Sequence, residues 1–226
     1  MRKLLLLISF MALLPTDVSA MTFRYAEQKC RQTYLENPPE IVIKYNYGEL
    51  KYDFSKTPAE LSEINESVLG VKKNNLRGLT SLEPNIKIEG LQLNAYGLDD
   101  EKLCIYPVKI EVSVGYNPIV YLANSLEKGS CEYKVTLRHE YTHVDIGHTA
   151  LNMLIKALHN KIPEFAANTT VRVVSPEDLE DKPEKINKDF QNQVLMLWQV
   201  FINTLNQQHN LLDTQEIYKH ESTLCR

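Results

Sequence analysis

Residues 130–160 read SCEYKVTLRHEYTHVDIGHTALNMLIKALHN, and this stretch decides how the rest of the chain is read. Ser130 is a favoured helix N-cap, and Glu132 follows in the first turn, where the positive end of the helix dipole favours an acid. Apolar residues then recur at Leu137, Tyr141, Val144, Leu151, Ile155 and Leu158, the spacing of one helix face. The pattern predicts a helix from Ser130 to about Asn160. Within it lies His139-Glu140-Tyr141-Thr142-His143. Side chains at i and i+4 leave a helix from one face a turn apart, so two imidazoles there can reach one metal ion. Glu140 stands beside them, where a carboxylate could take a proton from an activated water and deliver it to a leaving amine. The plainer alternative is a solvated helix face that carries two histidines and an acid.

Outward from this helix, the preceding residues read as strands. The run KLCIYPVKIEVSVGY at 102–116 alternates, and after Asn117-Pro118 the run IVYLANSL at 119–126 is expected to return beside it as a hairpin. IKIEGLQLNAYGL at 86–98 reads as a further strand, while 70–85 is charged and irregular and reads as a surface loop. Residues 41–54, IVIKYNYGELKYDF, suggest a strand or hairpin turning at Gly48. Thr57-Pro58-Ala59-Glu60 resembles a helix start, running to about Val68, and 23–37 suits a short helix containing Cys30.

Downstream, three prolines (Pro163, Pro176, Pro183) and a run of acids make 161–185 read as a long polar excursion. A second long helix is expected from about Glu184 to His209, burying Phe190, Val194, Leu197, Trp198, Phe201 and Leu205. Asp213-Thr214-Gln215-Glu216 resembles a capping box that opens a last short helix ending near Cys225. Strands first and helices afterwards imply an α+β domain.

The chain ends set the compartment. Arg2 and Lys3 precede an apolar run from Leu4 to Leu14, and Val18-Ser19-Ala20 offers small residues for cleavage, so 1–20 reads as a signal peptide and 21–226 as one domain. Arg2, Lys3 and Asp17 together carry +1, so loss of the leader takes the net charge from −4 to −5. No basic stripe argues for nucleic acid, and no later apolar stretch suits a membrane span. A secreted or periplasmic product is expected. Its four cysteines, Cys30, Cys104, Cys131 and Cys225, then read as two disulfides. A hairpin at Tyr116-Asn117-Pro118 would favour Cys104–Cys131, leaving Cys30–Cys225 to tie the ends.

The HExxH helix following a strand resembles the zincin metallopeptidases, over about residues 103–160. The exported cysteine-bearing chain also has a faint similarity to uncharacterised bacterial exported proteins described as predicted zinc-dependent proteases. The resemblance implies Zn2+ as cofactor, a peptide or protein substrate, and an edge strand beside the site that pairs with substrate backbone. Residues 119–123 are the expected edge strand.

The third ligand is open. His148 is nine residues from His139, which at about 100° per residue turns it to the opposite side of the helix. It is therefore read as packed. A gluzincin-like arrangement takes the ligand from the next helix, and equal rise per residue brings the level of Tyr141 opposite a point near Thr204. His209 is the nearest ligand-type side chain and completes the expected set of His139, His143 and His209. Asp213 and Glu216 are the alternatives, their competing role being the capping box. Tyr121, Tyr141 and Tyr218 are candidates to polarise a carbonyl. Rival functions are an exported non-catalytic binding or structural protein, and a zinc amidase acting on cell-wall material.

Overall fold

A computed structural model describes residues 17–70, 75–98 and 101–225, with side chains from Phe23 onward except at 68 and 69. Residues 1–16 of the expected leader lie outside them, and its last four residues, with the expected cleavage position, begin the first helix. The first helix, α1, is Asp17–Glu36. Strands β1 (Glu40–Asn46) and β2 (Lys51–Asp53) precede α2 (Pro58–Leu69). Then come β3 (Gly78–Ser81), β4 (Asn85–Gly97), β5 (Leu103–Gly115) and β6 (Ile119–Leu122). The long helix α3 (Cys131–Thr169) is followed by β7 (Arg172–Val174), a 3-10 turn, α4 (Lys182–Leu212) and α5 (Gln215–Thr223). The fold is α+β, as expected.

β5 is the centre of the larger sheet. β1 lies parallel to it, β4 antiparallel, and β7 pairs antiparallel with its first residues. Ile110, Val112 and Val114 turn inward from β5 and are buried. The residues between them face out and are satisfied there: Glu111 pairs with Lys44, and Ser113 donates to Glu89 at 2.9 Å.

The smaller sheet has the order β2-β6-β3. Neither expected hairpin forms. β1 and β5 run side by side, bend together at residues 47–50 and 116–118, and continue as the parallel pair β2 and β6 in the second sheet. Gly48 takes φ +66° at this double bend, and a Cβ there would strike the Tyr116 carbonyl and the Pro118 ring. Tyr116 is 2% exposed, so the chain passes through the core at this point instead of reversing at the surface.

This bend overturns the expected disulfides. Cys104 and Cys131 do not face each other across a hairpin, and the pairs are Cys30–Cys104 and Cys131–Cys225. The first ties α1 to β5 and the second ties the start of α3 to the end of the chain. They close loops of 74 and 94 residues, each worth roughly 2–4 kcal/mol through restriction of the unfolded chain.

Three further expectations need correction. The 70–85 segment is not all loop, because β3 forms within it and pairs with β6. β6 is paired on both sides, so it offers no open edge, and β2 and β3 are the outer strands of that sheet. Finally, α3 runs past Asn160 and Pro163 to Thr169. Ile162 and Ala166, both 0% exposed, keep that last stretch on the core, and the Pro163 carbonyl accepts from Tyr34 Oη at 3.2 Å.

α3 packs against both the larger sheet and α4, and α4 also reaches the sheet directly at β4. From α3, Leu151, Leu154, Leu158, Ile162 and Ala166 meet Phe190, Val194, Phe201 and Leu205 of α4 on one side and the inward face of β5 on the other. Leu197 and Trp198, expected in the α4 core, pack at its edge and stay partly open. Gly147 of α3 closes against Leu82, where any Cβ would collide. α2 starts after Thr57 as expected, with Thr57 and Glu60 forming a capping box.

Candidate metal centre

His139, Glu140 and His143 stand in the third and fourth turns of α3 and are 3%, 4% and 6% exposed. The two imidazole rings lie 5.0 Å apart, as one helical turn requires. Both turn Nε2 toward one carboxylate oxygen, Asp213 Oδ1, at 3.2 Å from His139 and 3.1 Å from His143. All three donor atoms fall within 4.8 Å of one another. Ligands of a tetrahedral zinc at about 2.0–2.1 Å are separated by about 3.3 Å, which the two Nε2–Oδ1 distances match. The group could bind a metal.

Asp213 reaches this point through the way α4 ends. α4 runs antiparallel to α3 and stops with Asp213 as its C-cap, whose N–H donates to the His209 carbonyl at 3.0 Å. The next helix is capped by Thr214, whose hydroxyl accepts from Ile217 N–H at 3.3 Å. The capping residue is thus one position later than the sequence suggested, and the Asp213 carboxylate faces the imidazoles. Glu216 is exposed and outside the group.

His209 does not join the converging donors. Its Nδ1 lies 2.7 Å from Nδ1 of His143, on the side of that ring away from Asp213. The antiparallel level estimate fell about two turns short, since residues 209–213 and not Thr204 stand opposite the two histidines, and residues 209 and 213 occupy the same face one turn apart. The group that helix geometry places first against the metal position is therefore Asp213, with His209 behind His143. Burial and the neighbouring His143 push the His209 pKa down to about 4, so its ring is neutral and able to accept a hydrogen bond.

Glu221 holds the other histidine, with a carboxylate oxygen 3.1 Å from His139 Nδ1. Burial disfavours the charged His139 ring, but Asp213, Glu140 and Glu221 outweigh it and raise its pKa above the usual value. Tyr218 donates its hydroxyl to Asp213 Oδ1 at 2.6 Å and lays its ring 5.0 Å from His139. Burial first, then the Asp213 hydrogen bond, raise the Tyr218 pKa, keeping the phenol a donor.

Glu140 is positioned by β3. Its Oε2 accepts from the Thr80 hydroxyl at 2.8 Å. Gly78 lies so close to Oε1 that a Cβ would overlap it. Burial raises the Glu140 pKa, opposed by His143, Thr80 and His139. Raised basicity and a fixed position suit a carboxylate to proton transfer. A cleft of about 590 Å3 opens beside these groups, lined by Arg77, Gly78, Thr136, His139, Glu140 and Tyr218 among others.

The remaining histidines stand apart. His148 packs on Tyr47 and Tyr116, with ring centroids at 5.2 and 5.8 Å, on the side of α3 away from the group. His159 and His220 are exposed. Tyr141 hydrogen-bonds Tyr52 at the surface, and Tyr121 lies in the middle strand of the smaller sheet. Glu221, Thr80 and Gly78 were not found from sequence. A Cys131–Cys225 pairing would have drawn Glu221 toward His139, but Gly78 and Thr80 lay in a stretch with no strand signal. No protein-family model, curated protein or solved structure matches the chain.

Proposed function

We propose that this protein is a zinc-dependent hydrolase of the zincin type, a metallopeptidase, with His139, His143 and Asp213 as ligands and Glu140 as general base. The observation that carries this reading is the convergence of two Nε2 atoms and Asp213 Oδ1 beside a buried glutamate. Three protein donors leave a fourth tetrahedral position for water or substrate, the pattern of catalytic zinc sites. When bound, the ion would acidify water and polarise the scissile carbonyl.

The chain's own residues supply the rest. Glu140, held by Thr80, takes the proton from water and returns it to the departing amine. Glu221 accepts from His139 Nδ1 and His209 accepts from His143 Nδ1, which leaves each Nε2 lone pair directed at the Asp213 side. Tyr218 donates to Asp213 and borders the cleft, where its phenol can also meet a developing oxyanion. β3, the outer strand next to Glu140, is the edge along which an extended peptide would pair. The two disulfides suit an oxidising compartment, which favours a secreted or periplasmic protein. Among the described residues no helix is long and apolar enough to cross a membrane.

A panel of peptides and cell-wall fragments, run with wild type and Glu140→Gln, tests the reaction. The amide keeps the shape and loses the basicity, so the variant should retain metal and lose at least about 10²-fold in rate. Cleavage of glycan-linked amides alone would move the substrate from peptide to cell wall. Equal rates for both proteins would remove Glu140 from the chemistry.

A further inference from the structure

We propose that the Cys131–Cys225 disulfide is a redox latch that holds α5 against the metal centre, so that the site is complete only under oxidising conditions. The metal part of this inference rests on the reading of His139, His143 and Asp213 given above; the latch itself rests on packing alone.

α5 brings two groups to the centre, Tyr218 on Asp213 and Glu221 on His139. Yet none of its side chains is fully buried, and it belongs to no part of the hydrophobic core. Nine residues are too few for a helix to persist in water by itself. Its ties to the rest of the molecule include the Tyr218–Asp213 and Glu221–His139 contacts, the Tyr218 ring over His139, the Cys131 Sγ contact with the Leu224 carbonyl just past its end, and the disulfide from Cys225 to the first residue of α3. Without the disulfide, the entropy of ordering this backbone outweighs the net gain from so few polar contacts. The chain after Asp213 would then leave the site and take Glu221 and Tyr218 with it.

The two disulfides are not equivalent. Cys30 and Cys104 are 1% and 0% exposed, packed with Tyr34 and Tyr106. Cys131 is exposed and Cys225 half-buried, at the edge of the cleft. A dithiol reductant, protein or small molecule, therefore reaches Cys131–Cys225 first. Its thiolate attacks one sulfur, the S–S bond breaks, and its second thiol resolves the mixed disulfide. Two electrons and two protons pass to the chain, which gains two thiols, and the reductant leaves as its own disulfide. In a reducing compartment α5 is released, and after export the re-formed bond closes the site.

Hydrogen exchange on the metal-free protein tests the latch independently of any metal. In Cys131→Ser/Cys225→Ser, the amides of 215–223 should lose their protection, while those of α3 and α4 keep wild-type values. Should the double variant not fold, the same exchange is read on wild type in which a water-soluble phosphine and iodoacetamide have reduced and capped that pair alone. Unchanged protection of 215–223 overturns the proposal. In the second arm, competition with a chromophoric chelator should show zinc affinity about 10- to 100-fold lower in the open protein, the scale for lost hydrogen-bond partners of ligands. Glu221→Gln should weaken zinc in the closed protein and add nothing in the open one. Equal effects in both backgrounds overturn the link between latch and site. A wild type that takes up no zinc would instead defeat the metal reading, and the exchange arm would still decide the latch.

Discussion

The Nδ1 atoms of His143 and His209 lie 2.7 Å apart, so His209 meets the back of a histidine whose Nε2 faces Asp213. This arrangement separates two substitutions that sequence alone treats alike. Asp213→Ala removes a donor of the converging group and should abolish stoichiometric zinc binding. His209→Ala removes only the acceptor behind His143 and should keep one zinc while lowering affinity about 10- to 100-fold. Isothermal titration of both variants checks the ranking, and the reverse order would return His209 to the ligand set.

Gly78 makes a second test, because its backbone passes against Glu140 where a Cβ would overlap Oε1 and also meet Thr136. Gly78→Ala should push the carboxylate out of position and leave the three donors untouched. A shift of about 1 Å at a catalytic group costs about 10²-fold in rate. Zinc content and turnover measured on the same preparation should therefore part company, with metal retained and activity lost.

Much of this site was legible from sequence because helices declare themselves locally. The Ser130 cap and the i, i+4 histidines depend on residues close in the chain, and α3 carries them as read. Of the 137-141-144-151-155-158 stripe, Val144, Leu151 and Leu158 are buried, while Leu137 and Ile155 are half-buried and Tyr141 is exposed. The antiparallel helix was equally plain, although its level was set about two turns short of the centre, because the start of α4 and the length of α3 were both misjudged. What failed was pairing over distance. Alternation marks 103–115 and 119–122 as strands but does not say that a bend through buried Tyr116 sends them to different sheets. The disulfide pairing failed with it, since it rested on that hairpin. β3 was missed because four residues, Gly78–Ser81, carry too little pattern, and its role comes from a contact with Glu140 sixty positions on. Asp213 was weighed as a cap because the capping signal fits equally well one residue later, at Thr214.

The core makes its own prediction. Leu158 is 0% exposed between the larger sheet and α4, so Leu158→Ala should cost about 2–5 kcal/mol. Leu195, on the outer face of α4, is 46% exposed, and Leu195→Ala should stay within about 0.5 kcal/mol. Urea unfolding of the two variants measures the contrast. Similar losses at both positions would mean that α4 turns a different face to α3.

The central claim is that His139, His143 and Asp213 hold one metal ion, and elemental analysis tests it most directly. Protein purified without chelator, reconstituted with zinc and freed of excess should carry about one zinc per chain, as three donors and an open position imply. The same protocol applied to His139→Ala, His143→Ala and Asp213→Ala should return folded protein with none. A wild type with no bound zinc, or an Asp213→Ala protein that still carries a full equivalent, would contradict the account.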